Sequence, residues 1–126
     1  MFSQIATSCP KAKLFALKVF GDNALGSTGV VLDALEWCVD PNKDNQFDDR
    51  MDVVNLSLST ILGLEEKHEI EAEAFRNLRS IGCVVVAASG NSNNNNFYLV
   101  GAPGVERSVI CVGASKLDGE TQRIAT

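Results

Sequence analysis

The chain has 126 residues, 45% of them apolar, a formal net charge of −5 and four cysteines. That length makes it one domain or one piece of a domain, able to bury roughly two thirds of its unfolded surface. The acidic balance argues against an electrostatic nucleic-acid footprint, and no apolar run approaches the roughly 18 residues of a membrane span.

Met1 to Ser8 lack the basic start and apolar stretch of a signal peptide, which leaves the compartment open. Lys11-Ala12-Lys13 leads into Leu14 to Phe20, an apolar run with one lysine that reads as a strand and is broken by Gly21-Asp22-Asn23. Ser27 or Thr28 can cap a helix. Val31, Ala34, Leu35 and Cys38 then follow at i, i+3, i+4 and i+7. Asp40-Pro41 ends that helix, because a residue before proline is pushed out of helical geometry.

Asp40 to Arg50 is a polar, acidic loop, and Asp52 to Ser59 a second strand with small polar residues at its carboxyl end. Glu65 and Glu66 open a longer helix that closes with Arg76 and Arg79, charges that complement the helix dipole at both ends. Ile70, Ala74, Phe75, Leu78 and Ile81 give its apolar side, and Gly82 its C-cap.

Val84 to Ala88 is short, β-branched at its start and bounded by glycines, so it reads as a central strand buried on both faces. It delivers Ser89-Gly90-Asn91 to the carboxyl edge of a sheet, where open α/β folds place their chemistry. Asn91 to Asn96 is a polar loop, and Ser108 to Gly113 a fourth strand after Gly101-Ala102-Pro103-Gly104. Strand and helix alternate as in a parallel α/β sheet with right-handed crossovers.

Several local patterns invite chemistry. Gly21 to Thr28 nearly spells a phosphate-binding loop between strand and helix, but Ser27 stands where the lysine should be. A plain turn with a Ser/Thr cap accounts for it better, and a nucleotide-binding α/β domain is a subordinate alternative. Asp40, Asn42, Asp44 and Asp48 occupy positions 1, 3, 5 and 9 of an oxygen-rich loop, a partial match to a calcium-binding EF-hand loop. Asn45 replaces the glycine at position 6 and Asp52 the glutamate at position 12, and a solvated turn is the competing account. His68, the only histidine, lies among helical charges and reads as a surface residue. Asn91 is either a turn asparagine or an amide donor held at a sheet edge for a developing oxyanion.

Cys9, Cys38, Cys83 and Cys111 include no CxxC pair, and four cysteines permit three full disulfide connectivities without selecting one. Three of them lie in apolar patterns, so buried free thiols are expected.

Taken together, four segments resemble the subtilisin-like serine peptidases, the subtilases (peptidase S8). Cys9-Pro10-Lys11-Ala12-Lys13-Leu14 through Lys18-Val19 is similar to that family's "APxAxL…KV" stretch, and Asp52 to Leu58 to its "DVINMSLG" strand. Val84 to Asn91 is similar to "VVVAAAGN", and Gly101 to Gly104 through Ser108 to Ala114 to "YPGxxPSVIAVGA".

The resemblance implies a three-layer α/β/α subtilisin-like parallel sheet, here incomplete, formed by one partial domain over residues 1–126. It implies that Asn91 is the oxyanion-hole donor. Ser57, Leu58 and Ser59 would be the strand edge that pairs with substrate backbone. Ala88, Ser89, Gly90 and Gly101 would line the pocket for the side chain before the scissile bond. Serine stands at Ser59 where the family usually has glycine. Peptide or protein substrates and a secreted or cell-surface location are implied, and no cofactor is required; calcium at the acidic loop is an option raised by the loop's own spacing.

The family's aspartate, "HGTHVAG" and "GTSMAxP" motifs do not occur in this sequence. The chain alone is therefore expected to be inactive, since the reaction needs the serine as nucleophile and the histidine as base. The strand that bears the catalytic aspartate is expected to be missing too, leaving strand edges open to self-association. A non-catalytic peptide- or protein-binding module on the same fold is the main alternative.

Overall fold

A computed structural model describes residues 5, 7–23, 26–60, 69–91 and 100–114. The chain divides into two compact units, Met1–Ala34 and Leu35–Thr126.

In the first unit the expected strand over Leu14 to Phe20 does not form. Residues 14–19 carry no strand, and Phe20 makes only an isolated antiparallel bridge with Gly26. Strand propensity expresses itself only when a neighbouring strand supplies ladder bonds, and here Leu14, Phe15, Leu17 and Phe20 are exposed. Gly26 is required by that bridge, because a Cβ there would lie 2.8 Å from the Phe20 ring. Helix α1, Thr28–Val39, begins as its sequence predicts. The Ser27 hydroxyl accepts the Val30 amide at 3.4 Å, a serine N-cap that satisfies one orphan donor of the first turn. It stops at Val39, immediately before Asp40-Pro41.

The second unit is built on a parallel sheet of three strands, β1 (Val53–Leu56), β2 (Val84–Ala88) and β3 (Ile110–Val112), in the order β1-β2-β3. Val53 pairs with Val84 and Leu56 with Ala87, while Val86 pairs with Ile110 and Ala88 with Val112. Parallel strands need a crossover, and helix α2, Glu69–Ser80, supplies the one between β1 and β2. The expected opening of that helix at Glu65 and Glu66, and His68, lie outside the described residues.

Its C-terminus follows the Gly82 expectation in detail. Gly82 adopts φ 87°, its amide donates to the Arg79 carbonyl at 3.0 Å, and the Cys83 amide reaches back to Leu78 at 3.0 Å. That pair of bonds is a Schellman motif, which glycine accommodates without a Cβ penalty.

Val54, Leu56, Val85 and Ala87 alternate into the core, where Ala72, Phe75 and Leu78 of α2 are also buried. Burying Phe75 and Leu78 contributes about 1.5–3 kcal/mol each. Two expectations fail here. Ile70 is 71% exposed, because Ala72, Phe75 and Leu78 set the buried line and Ile70 sits about 140° around the helix from Phe75. And β2 is not buried on both faces: Val84 is exposed and Val86 and Ala88 are only half-buried, while Val53, Ile110 and Val112 on the neighbouring strands are exposed. β3 is an edge strand with all three residues exposed, which brings Cys111 to the surface. All four cysteines are free thiols, and Cys38 and Cys83 are buried as expected. Burial, reinforced by the neighbouring Cys83, pushes Cys38 up to about 11. Burial raises Cys83 as well, assisted by Asp52 and opposed by Arg50 and a hydrogen bond to the Val54 backbone. Among the described residues, no helix is long and apolar enough to cross a membrane.

Candidate functional site

Because β1, β2 and β3 run parallel, their carboxyl ends meet at one edge of the sheet. β1 leaves through Ser57, Leu58, Ser59 and Thr60, and β2 through Ser89, Gly90 and Asn91. The Ser89 amide donates to the Val112 carbonyl at 3.0 Å, carrying the β2–β3 pairing one residue past the strand. Its own carbonyl accepts the Gly101 amide at 2.9 Å, which fixes the start of the 101–104 turn against the end of β2.

A second tie joins that turn to β1. The Thr60 amide donates to the Ala102 carbonyl at 2.8 Å, and the Ala102 amide donates to the Thr60 hydroxyl at 3.2 Å. Three chain segments far apart in sequence are thereby locked into one edge.

The glycines at this edge are dictated by close approach. Gly90 has φ 97°, in the left-handed region that side chains rarely adopt. A Cβ at Gly90 would lie 2.5 Å from the Ser59 hydroxyl oxygen. A Cβ at Gly101 would overlap both that hydroxyl and the Thr60 carbonyl oxygen, and one at Gly104 would lie 2.8 Å from the Ala88 carbonyl oxygen. Ser59 therefore stands between Gly90 and Gly101, with its hydroxyl donated to the Thr60 carbonyl at 2.8 Å.

Ser59, Ser89, Gly90 and Gly101 are thus brought together, with Ala88 reached through Gly104. Asn91 follows them in an exposed bend. Ser57 is exposed and accepts a hydrogen bond from the Asn55 side chain at 3.0 Å, while Leu58 is half-buried. Ser89 is buried, and its hydroxyl has no hydrogen-bond partner among the described residues. Sequence reasoning missed Thr60 and Ala102, whose mutual hydrogen bonds span 42 positions. Gly104, like Ala102, is visible in the sequence only as part of the 101–104 stretch, and its approach to the Ala88 carbonyl is created by the fold.

The acidic loop is organised by its own side chains. The Asp40 carboxylate accepts the Asp44 amide at 3.2 Å and the Asn45 amide at 2.8 Å. Asn42 accepts the Asp44 amide at 2.9 Å, and Asp44 accepts the Gln46 amide at 2.8 Å. These Asx-type turns hold Lys43 and Asn45 at φ 61° and 63°. Asp48 is exposed in the same loop. Among the described residues, no three His, Cys, Asp or Glu side chains gather into a group that could hold a metal ion.

Comparison with known proteins places these segments in context. The model described as Subtilase family (Peptidase S8) matches residues 2–124. The serine protease AprX of Bacillus subtilis is 34% identical across 83% of this chain, which spans 24% of that relative's length. Minor extracellular protease Epr of the same organism is 28% identical across 93% of the chain and 16% of its own length. Subtilisin E is 32% identical across 83% of the chain and 25% of its own length. The chain therefore spans about a quarter or less of these relatives.

Proposed function

The chain belongs to the subtilase family, and on that premise we propose that it is the central section of the catalytic domain of a secreted serine endopeptidase. In this reading the nucleophile and its base lie on segments outside these 126 residues. Asn91 donates its side-chain amide to the oxyanion that develops when the scissile carbonyl is attacked, where a fixed donor is worth most. Ser57 to Ser59 offer backbone to an extended substrate by strand addition. Ala88, Ser89, Gly90 and Gly101 wall the pocket for the substrate side chain before the scissile bond. Secretion is proposed from relatives such as the minor extracellular protease Epr.

One observation carries the reading. The two hydrogen-bonded ties, Ser89 to Gly101 and Thr60 to Ala102, hold the ends of β1 and β2 and the 101–104 turn at the edge where Asn91 emerges. A donor on a braced strand end is preorganised, and preorganisation lets it act without reorganising during the reaction.

The test is to assay the full-length protein on internally cleavable peptides, with and without a sulfonyl fluoride, which sulfonylates an active serine with loss of fluoride. Cleavage blocked by the sulfonyl fluoride is expected, as is no turnover by the 126-residue chain alone. Peptide binding by the full-length protein without any cleavage would instead make it a binding module on the same fold.

A further inference from the structure

At this edge the Ser59 side chain is the nearest to both Gly90 and Gly101. A pocket walled by Gly90 and Gly101 should be open between them, because neither glycine projects a side chain. Here the Ser59 hydroxymethyl group stands in that opening. The Ser59 hydroxyl oxygen lies 2.5 Å from the position a Gly90 Cβ would take, and Ser59 Cβ lies 3.3 Å from the corresponding positions at both Gly90 and Gly101.

The serine is not free to swing aside. Its hydroxyl donates to the Thr60 carbonyl at 2.8 Å, and Thr60 is itself fixed by two hydrogen bonds to Ala102. Moving the hydroxymethyl group out of the opening costs its hydrogen bond or the brace between β1 and the 101–104 turn. Ser59 is also exposed, so its outer side faces the solvent from which a peptide arrives.

We propose that Ser59 sets the size limit of the pocket, so that the enzyme takes peptides with a small residue (glycine, alanine or serine) immediately before the scissile bond. This rests on the endopeptidase reading above and adds the substrate class. A bulky ring entering the gap between Gly90 and Gly101 meets the hydroxymethyl group, whereas a methyl group reaches less far into the gap. Removing one such obstruction from a side-chain pocket changes discrimination by about tenfold or more.

The experiment measures kcat/KM of the full-length protein on two peptides differing only in alanine or phenylalanine before the scissile bond. The wild type is expected to favour alanine. Ser59→Gly should shift the phenylalanine-to-alanine ratio toward phenylalanine by about tenfold or more, and Ser59→Ala, which keeps the Cβ, should shift it less. A merely structural serine would alter both rates together and leave the ratio in place. Cleavage that favours phenylalanine in the wild type, or a ratio unmoved in Ser59→Gly, overturns the size limit and leaves the endopeptidase reading standing. Cleavage of neither peptide, with phenylalanine and alanine versions bound alike, overturns both.

Discussion

The Gly101 amide donates to the Ser89 carbonyl at 2.9 Å, so the turn that follows a polar loop is pinned to the last residues of β2. Gly101 can reach that position only because it lacks a Cβ, which would overlap the Ser59 hydroxyl and the Thr60 carbonyl oxygen. The carbonyl belongs to backbone held by the Thr60–Ala102 bond and cannot yield cheaply. Gly101→Ala should therefore destabilise the chain by about 1–3 kcal/mol, read as a lower urea midpoint. An unchanged midpoint would mean that the edge is not packed this closely.

Ser89 makes the opposite prediction. Its backbone is fully used, but its buried hydroxyl has no partner among the described residues. A buried hydroxyl left unsatisfied costs about 1–3 kcal/mol. Ser89→Ala removes the cost and keeps the volume nearly constant, so the urea midpoint should rise. A fall would reveal a partner for the hydroxyl.

The cysteines divide by environment. Cys9 and Cys111 are exposed, Cys38 and Cys83 buried, so a thiol-specific reagent should label two quickly and two only on unfolding. The Cys38 thiol also links stability to pH. Unfolded, it ionises near 9.0; folded, burial holds it protonated up to about 11. Across that window the unfolded chain has released a proton that the folded chain retains, so the stabilisation is complete below about pH 9 and is lost as pH rises toward about 11. Urea midpoints should fall through this range, and Cys38→Ala should flatten the slope. A slope equally steep in the variant would assign the effect to another group.

The acidic loop over Asp40 to Arg50 is closed by its own carboxylates: Asp40 alone accepts two backbone amides, from Asp44 and Asn45. A loop satisfied in this way is expected to need no ion. Calcium at about 1 mM, enough to fill an extracellular-type site, should leave the melting temperature unchanged. A calcium-dependent rise that Asp44→Ala abolishes would assign an ion to the loop.

What the sequence revealed and what it hid divide along a physical line. β2 was legible because a β-branched run between glycines carries its own boundaries, and the end of α2 because Gly82 at C′ is a local requirement. Ser27 was legible as a cap for the same reason. The strand expected at Leu14 to Phe20 failed because pairing is a property of neighbours, which periodicity within a segment cannot report. Ile70 failed because an apolar residue in the first turn fits the helical pattern without lying on the buried line. At the site, Asn91 was visible as the polar end of an apolar run, and the role proposed for it rests on the family resemblance. The Thr60–Ala102 tie was not visible, since it joins residues 42 positions apart through side-chain geometry that only the folded edge creates.

The most direct test of the central claim is the kinetics of Asn91→Ala in the full-length protein. If Asn91 donates to the oxyanion, kcat should fall by about 10²- to 10³-fold with KM nearly unchanged, the loss known for removal of the corresponding single donor from subtilisin. A kcat within a few-fold of wild type, in a variant that folds normally, would contradict the account and return Asn91 to the role of a turn asparagine.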